Sequence, residues 1–379
     1  MSLNSYDEWS PLAEVVVGSG ARFEAHELEL SFKLFFHDVA YAAFYYPSYG
    51  PAADDAASEP ESSRQLKRRY VDELNEDLEE LVTVLREYGA LVHRPLPLPA
   101  PAPFSTPSWQ AHCVPALNIR DQAIIMGEEI LETPPQVRAR YFENDLLKPV
   151  FYRYFHAGAK WSVMPRPVMT DRSFDTSYVS GQKTPAMQEI AHPQASPYDT
   201  GFEMMIDAAQ CLRFGRDILV NAATENHVLG ARWMQRHFEG RFRFHLMHRF
   251  ADNHIDSLVL PLRPGTLLLR NPLVAESLPE PLRRWDRIYA PEPDDNSFPQ
   301  YEDDDLLLTS RYIDMNVLSV DENTVVVNSL CPELIRTLER HRFTVLPVQH
   351  RHRRLFGGGF HCFTLDTVRR DSGPCDYLE

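Results

Sequence analysis

A glycine-rich turn near the end of the chain places a histidine and a cysteine side by side. Residues 357–359 are three glycines, and His361 and Cys362 follow directly after Phe360. Glycine allows backbone angles and close approaches that residues with a Cβ resist. A cysteine held by such a turn is a candidate nucleophile, because the thiolate has to be accessible and stabilised by its surroundings. The alternative is a free cysteine buried after a loop, which is the more common fate of a single cysteine.

A histidine and three aspartates form a second group of candidates. His254 and Asp256 come just before a predicted strand, and their spacing puts both side chains on the same face. A histidine beside a carboxylate can supply an acid–base group and a binding charge. Asp207 and Asp121 also stand where strands begin, although a turn or a helix cap explains either of them equally well. Each signal is weak alone, but together they place one Cys, one His and several Asp at strand ends.

A repeated unit of helix, short link, strand and proline would position these residues. In the first copy, apolar residues recur at steps of three and four over 66–85, and a strand over 90–94 ends at Pro95. Five such units predict a closed ring of α/β modules around one axis, although an ordinary α/β domain also alternates helices and strands. The four later copies span 146–165, 231–247, 281–291 and 333–347, and further strands are predicted at 14–17, 123–126, 217–220, 258–260, 266–269 and 324–327.

Composition restricts the class of protein. The 379 residues are 44% hydrophobic, which is enough for a sizeable core in one large domain or two. A net charge of −16 argues against nucleic acid or an anionic membrane as the main partner. Five widely spaced cysteines without a CxxC pair suit a reducing compartment. Without a signal peptide or a membrane-spanning run, we expect a cytoplasmic protein. Residues 47–64, rich in Pro, Ala, Ser and acids, predict a mobile loop.

Taken together, these motifs resemble those of the amidinotransferases, the guanidino-transferring relatives of the arginine deiminases in the pentein superfamily. The most specific stretches are Gly-Gly-Gly-Phe-His-Cys at 357–362 and His-Ile-Asp at 254–256, in this order along the chain. The resemblance covers nearly the whole chain, so we treat residues 1–379 as a single domain. It implies a five-bladed pseudosymmetric α/β propeller, in agreement with the five units. Further matching stretches are 8–18, 140–143, 154–161, 207–209, 214–218 and 315–318.

The resemblance also implies roles for individual residues. Cys362 corresponds to the nucleophile, His254 to the general acid and base, and Asp207 to the carboxylate that orients His254. Asp121 and Asp256 correspond to the pair that grips the guanidinium of the donor. The residues expected to contact substrate in addition are Asn253, Thr309, Ser310 and Gly359.

The implied reaction is a double displacement on small-molecule substrates. Carboxylates hold a planar guanidinium well, because its N–H donors match their two oxygens. The thiolate attacks the central carbon of L-arginine, ornithine leaves, and an acceptor amine then takes the amidino group from the cysteine. No cofactor is implied, since no phosphate loop or dinucleotide fingerprint is present. No metal site is expected either, because the histidines of 341–352 lack paired ligand spacing.

Two departures from the family pattern bear on the acceptor. Gln210 stands where the glycine-using members carry a second aspartate, and Leu273 and Val274 stand where they carry an arginine. Loss of that guanidinium argues against glycine and favours another amine, such as one from secondary metabolism. A guanidine hydrolase remains an alternative, because water can attack the same intermediate. A non-catalytic propeller scaffold is a second alternative, and a homodimer is left open.

Overall fold

The computed structural model describes residues 2–24, 29–36, 68–100, 102–177, 193–251, 254–294, 297–301 and 307–379. Within these ranges the chain forms mixed α/β structure, as predicted. The helices are α1 Leu30–Phe35, α2 Arg68–Tyr88, α3 Lys148–His156, α4 Glu225–His237, α5 Pro272–Ser277, α6 Glu280–Arg283 and α7 Pro332–Arg340. The strands are β1 Leu12–Val17, β2 Leu91–His93, β3 Pro103–Ser105, β4 Gln110–His112, β5 Ala123–Met126, β6 Glu129–Glu132, β7 Lys160–Val163, β8 Cys211–Phe214, β9 Asp217–Ala222, β10 Arg243–His248, β11 Val259–Arg263, β12 Thr266–Leu269, β13 Asp286–Tyr289, β14 Leu318–Asp321, β15 Thr324–Asn328, β16 Thr344–Val348 and β17 Thr364–Arg369.

One three-stranded sheet recurs five times in the described part of the chain. Its central strand pairs antiparallel with one neighbour and parallel with the other, and a helix provides the crossover to the parallel strand. The sheets, with the central strand in the middle, are β5-β6-β7, β8-β9-β10, β11-β12-β13, β14-β15-β16 and β17-β1-β2.

The predicted helix–strand units are confirmed in all five sheets. In the first unit along the chain, α2 buries its periodic apolar side chains, including Leu74, Leu78 and Leu81, against the sheet of β1 and β2. Gly89 ends the helix with φ +105°, a left-handed conformation that glycine adopts without steric cost. The sheets therefore follow from local patterning, and their arrangement as blades around one axis stays a prediction.

Strands β3, β4, β6, β8, β14 and β17 were not predicted. In β6, β8 and β17, charged residues stand among only a few apolar ones. Glu129 in β6 is buried, and its carboxylate accepts hydrogen bonds from Ser162, His237 and Arg241, all of which are distant in sequence. Charges in a strand that is buried along its whole length are tolerated when tertiary partners compensate them. A single sequence does not reveal those partners.

The two ends of the chain complete one sheet together. The C-terminal β17 pairs antiparallel with the N-terminal β1, so that Val17 lies opposite Thr364. The single domain over 1–379 stays a prediction, and the predicted mobile loop 47–64 lies outside the described residues. None of the helices in the described ranges combines the length and apolar character needed to cross a membrane.

A buried network of ion pairs lies between the first residues of the chain and its last strand. Arg213 Nη2 donates to Glu8 Oε2 and to Asp366 Oδ2, both at 2.7 Å. Arg120 Nη2 donates to Asp366 Oδ1 at 2.6 Å, and Arg369 Nε donates to Asp366 Oδ2 at 2.5 Å. All five side chains are buried. The network therefore connects residues from four regions of the sequence.

Removing one partner of this network should destabilise the fold strongly. We expect Asp366→Ala to lower the free energy of unfolding by about 3–5 kcal/mol, because three buried guanidinium groups lose a shared carboxylate. Urea denaturation measures the change. The matched control is Glu280→Ala, which breaks an exposed pair with Arg284 and should cost less than about 1 kcal/mol. Equal effects of the two substitutions would contradict the prediction.

Candidate active site

The candidate residues and Asn316 stand at equivalent positions in the five sheets. Each lies just before the strand that pairs antiparallel with the central strand of its sheet. Asp121 ends a 3₁₀ turn before β5, Asp207 precedes the turn before β8, and Asp256 lies in the turn before β11. Asn316 follows the turn before β14, and Cys362 comes shortly before β17. The prediction that the cysteine, the histidine and the aspartates stand at strand ends is confirmed for Cys362, His254, Asp121, Asp207 and Asp256, whereas Asn316 was not predicted.

One cavity of about 420 Å³ brings most of these side chains together. Asp121, His254, Asp256 and Cys362 line it, although they are far apart in the sequence. Asp207 is fully buried and contacts His254 instead of lining the cavity. Of the other predicted contacts, Thr309 and Ser310 line the cavity, Gly359 packs behind Cys362, and Asn253 lies outside the described residues.

His254 is held between two carboxylates. Its Nε2 lies 3.0 Å from Asp207 Oδ2, and its Nδ1 lies 3.6 Å from Asp121 Oδ1. Burial opposes protonation, but the carboxylates outweigh it and raise the pKa of His254 to about 9. Asp207 in turn accepts hydrogen bonds from Gln122 Nε2 at 3.1 Å and from the backbone N–H of Gln136 at 3.2 Å. The Asp207 side chain is therefore fixed, and its carboxylate favours the cationic form of His254.

Asp121 is anchored by an arginine on one side. Arg140 Nη1 donates to Asp121 Oδ2 at 2.6 Å, and its Nε and Nη2 bind Glu143 in a bidentate pair at 2.6 and 3.0 Å. Nη2 also donates to the backbone carbonyl of Asn118 at 2.9 Å. Asp121 Oδ1 is buried without a hydrogen-bond partner among the described residues. Burial raises the pKa of Asp121, and burial also raises the pKa of Glu143 to about 7. An unsatisfied buried carboxylate oxygen is costly, so this atom is suited to accept a hydrogen bond from a bound cation.

Cys362 is positioned by Asn316 and Asp256. Its backbone N–H donates to Asn316 Oδ1 at 3.0 Å, and its Sγ lies 3.5 Å from Asp256 Oδ2. Burial raises the pKa of the Cys362 thiol well above its usual value, and the carboxylates of Asp256 and Asp121 raise it further. These surroundings therefore favour the neutral thiol. A positive ligand between the two carboxylates would favour the thiolate.

Asp121, Asp207 and His254 also offer three ligand atoms within 4.8 Å of one another, a grouping that could in principle hold a metal. The carboxylates around His254 raise its pKa to about 9, so a metal ion would have to displace a proton from this imidazole before binding it. The arrangement therefore suits an organic cation held by carboxylates better than it suits a metal ion.

The structure shows where the two departures from the family pattern, at Gln210 and at Leu273 and Val274, lie relative to the cavity. Gln210 is buried, and its Oε1 accepts a hydrogen bond from Asn221 Nδ2 at 2.8 Å. Leu273 is 71% exposed and borders a separate surface depression. Arg249 and Arg270 line the cavity, so it contains guanidinium groups other than the one missing at 273–274, and the expectation that glycine is not the acceptor stays a prediction.

Comparison with known proteins identifies the family. No family model matches the chain. Over 376 residues, which are 98% of both proteins, the chain is 35% identical to inosamine-phosphate amidinotransferase 1 of Streptomyces griseus. The chain belongs to the amidinotransferase family. It is also 31% identical to the L-arginine:L-lysine amidinotransferase of Pseudomonas savastanoi pv. phaseolicola, over 97% of this chain and 94% of that protein.

Solved structures agree with this assignment. An amidinotransferase of the saxitoxin biosynthetic pathway from Microseira wollei matches with a TM-score of 0.79 and 32% identity, over 99% of both chains. A dimethylarginine dimethylaminohydrolase from Pseudomonas aeruginosa matches with a TM-score of 0.55 at 13% identity, which shows a shared fold alone. This amidinotransferase therefore has the pentein fold and is a transferase.

Several side chains of the site were not predicted as functional. Arg140, Glu143 and Asn316 lie in stretches that carried the family resemblance. These motifs could have indicated them, but no role was assigned to them from the sequence. Phe35 had no such signal, yet its ring lies 5.3 Å from the ring of His254. Residues of this kind act through neighbours that are distant in sequence, and these neighbours become visible in the folded protein.

The packing of Gly359 against Asn316 should control the position of Cys362. A Cβ at residue 359 would lie 2.7 Å from Asn316 Cβ and 2.8 Å from Asn316 O, so one of the two segments must move. We expect Gly359→Ala to slow alkylation of Cys362 and to lower amidino transfer by about 10²-fold, because small displacements of a reacting atom are costly.

The matched control is Gly373→Ala, where an added Cβ meets no atom within 4 Å. This control should keep both rates. If Gly359→Ala retained wild-type alkylation of Cys362, the proposed packing constraint would be wrong.

Proposed function

We propose that this amidinotransferase moves the amidino group of L-arginine to an acceptor amine through a covalent amidino-cysteine at Cys362. The observation that carries the proposal is the meeting of a cysteine, a histidine and two carboxylates in one cavity. A non-catalytic scaffold would not need this combination, because placing ionisable groups such as Asp121, Asp256 and Cys362 in a buried site costs stability.

The donor guanidinium fits between Asp121 and Asp256. Asp121 Oδ1 is buried and has no hydrogen-bond partner among the described residues, and Asp256 stands 3.5 Å from the sulfur that would attack. A guanidinium held by two carboxylates presents its central carbon to a nucleophile beside them. Arg249 and Arg270 on the cavity wall supply positive charge for a carboxylate at the other end of the donor. The relative from Pseudomonas is named an L-arginine:L-lysine amidinotransferase, and this name supports L-arginine as the donor.

Donor binding would also activate Cys362. The carboxylates that raise the pKa of its thiol are the ones that the guanidinium would neutralise. As the donor binds, the thiol releases its proton to solvent, because His254 already carries one. The thiolate then forms a bond to the central carbon, and the bond between that carbon and Nε of the donor breaks. His254, cationic with a pKa of about 9, delivers a proton to the departing amine, so that ornithine leaves neutral at that nitrogen.

The second half-reaction reverses these roles. His254, now neutral, takes a proton from the acceptor amine as the amine attacks the amidino carbon. The C–S bond breaks, and the thiolate of Cys362 is restored. Asp207 holds His254 in place during both steps through its 3.0 Å hydrogen bond.

The acceptor is an amine larger than glycine, and the support for this part of the proposal is the size and lining of the cavity. About 420 Å³ lies in the range of pockets that hold whole small molecules, and it has to admit arginine as well. Phe23, Phe36 and Phe250 form part of its wall and favour an acceptor with an apolar portion. The name inosamine-phosphate amidinotransferase of a relative is in line with a larger acceptor in this family.

Incubation with arginine tests the proposal directly. Arginine alone should release about one ornithine per protein, because the reaction stops at the amidino-cysteine. A peptide containing Cys362 should gain the mass of one amidino group, and added amines should restart turnover. Cys362→Ala should abolish ornithine formation, whereas Cys375→Ala, which removes an exposed thiol, should retain it. Citrulline or urea without any amine would instead identify a hydrolase.

Arginine binding should weaken as the pH falls through about 7. Burial raises the pKa of Glu143 to about 7, so below this pH its carboxyl becomes neutral and leaves Arg140 less compensated beside Asp121. We expect calorimetry on Cys362→Ala protein to show affinity that falls by at most about tenfold per pH unit below 7. Glu143→Gln should flatten this dependence. Equal affinity at about pH 6 and about pH 8 would exclude this role for Glu143.

A further inference from the structure

His361, next to the proposed nucleophile, has carboxylates on both sides of its ring. Its Nδ1 lies 2.8 Å from Asp256 Oδ2, and its Nε2 lies 3.4 Å from Glu8 Oε2. Ionised carboxylates accept hydrogen bonds and cannot donate them, so both ring nitrogens have to carry protons for both contacts to be hydrogen bonds. The side chain is buried. The geometry therefore suits a ring that donates from both nitrogens to two anions.

The surroundings of His361 fix this orientation. Glu8 is held at the same time by Arg213 Nη2 at 2.7 Å and by Arg120 Nη1 at 3.2 Å. Arg120 Nε also donates to the backbone carbonyl of His361 at 2.8 Å. Rotating the ring would break hydrogen bonds on both sides, and the neighbouring charges belong to the central ion network. His361 thus connects that network to the cavity.

We propose that His361 is a positioning residue that fixes the carboxylate of Asp256 and offsets its charge beside Cys362. Its Nδ1 contacts Asp256 Oδ2, the oxygen that also lies 3.5 Å from Cys362 Sγ. Arg140 makes the corresponding contact on the other side, where it ties Asp121 Oδ2. Each of the two carboxylates in the donor site therefore has one oxygen bound by a cation of the protein. The inference rests on the proposed function, in which Asp256 receives the donor guanidinium.

Two substitutions separate the contacts of His361. The amide nitrogen of asparagine takes about the place of Nδ1, and that of glutamine takes about the place of Nε2. His361→Asn therefore keeps the donor to Asp256 and loses the one to Glu8, whereas His361→Gln does the reverse. We expect His361→Gln to lower kcat/KM for arginine by about 10²-fold relative to His361→Asn, because the guanidinium site is misplaced.

The charge of His361 has a separate readout. Both substitutions remove a cation near Cys362 while Asp256 and Asp121 remain, with His254 across the cavity. The pH midpoint for alkylation of Cys362 should rise in both variants relative to wild type. In the unaltered protein, neutron diffraction should show deuterium on both nitrogens of His361. This last measurement does not depend on whether either variant folds.

His93 supplies the matched control, because it is another histidine paired with a carboxylate. Its Nε2 lies 2.9 Å from Glu14 Oε2, and it does not line the cavity. His93→Asn and His93→Gln should change neither the kcat/KM for arginine nor the alkylation midpoint, whatever they do to the melting temperature.

Several results would overturn the inference. These are a bare nitrogen on His361 facing either carboxylate, an unchanged alkylation midpoint in both variants, or equal losses in the two variants that follow their melting temperatures. Failure of the proposed function has a different signature, since wild-type protein would then form no ornithine from arginine. The neutron and alkylation measurements decide the role of His361 in that case as well.

Discussion

The fold depends on compensation of charge among side chains buried at its centre. Asp366 accepts hydrogen bonds from Arg120, Arg213 and Arg369, and Glu8 shares two of these arginines. Such a network contributes little net stability over an apolar core, but each member is indispensable once the others are buried. It specifies how the N-terminal segment, the C-terminal strand and two intervening sheets meet. Site residues stand just before β5, β8 and β17, and the network side chains Arg120, Arg213 and Asp366 stand beside them or within these strands, so the same constraint places the site.

The candidate active site also depends on buried charges that compensate one another. Asp121, Asp207 and Asp256 are buried around His254 and His361, and Arg140 with Glu143 completes the group. Burial and the surrounding carboxylates raise the pKa of the Cys362 thiol, because both oppose a further negative charge. In the proposed reaction, a guanidinium ligand would relieve this opposition and satisfy the oxygen of Asp121 together. Donor binding and activation of Cys362 would then be coupled through one local charge.

Local patterning predicted much of the fold. The helix–strand–proline units and the strands at 123–126, 217–220 and 266–269 correspond to observed elements, because apolar periodicity and glycine or proline stops are local signals. Strands such as β6 and β17 were missed, since Glu129 and Asp366 interrupt their apolar pattern. These carboxylates are acceptable in a strand when arginines from distant segments reach them. The pairing of β17 with β1 joins opposite ends of the chain, and no local signal indicates it.

The sequence by itself determined which groups could react and that each stands where a strand begins. The motifs around Cys362, His254, Asp207, Asp121 and Asp256 sufficed for this, because a reaction requires particular residue types in a particular local setting. Tertiary structure decided what each group touches: Asn316 at Cys362, Arg140 at Asp121, and two arginines in a cavity that the exposed Leu273 does not reach. The physical reason is that burial and electrostatic compensation depend on distances in space between segments that are far apart in sequence.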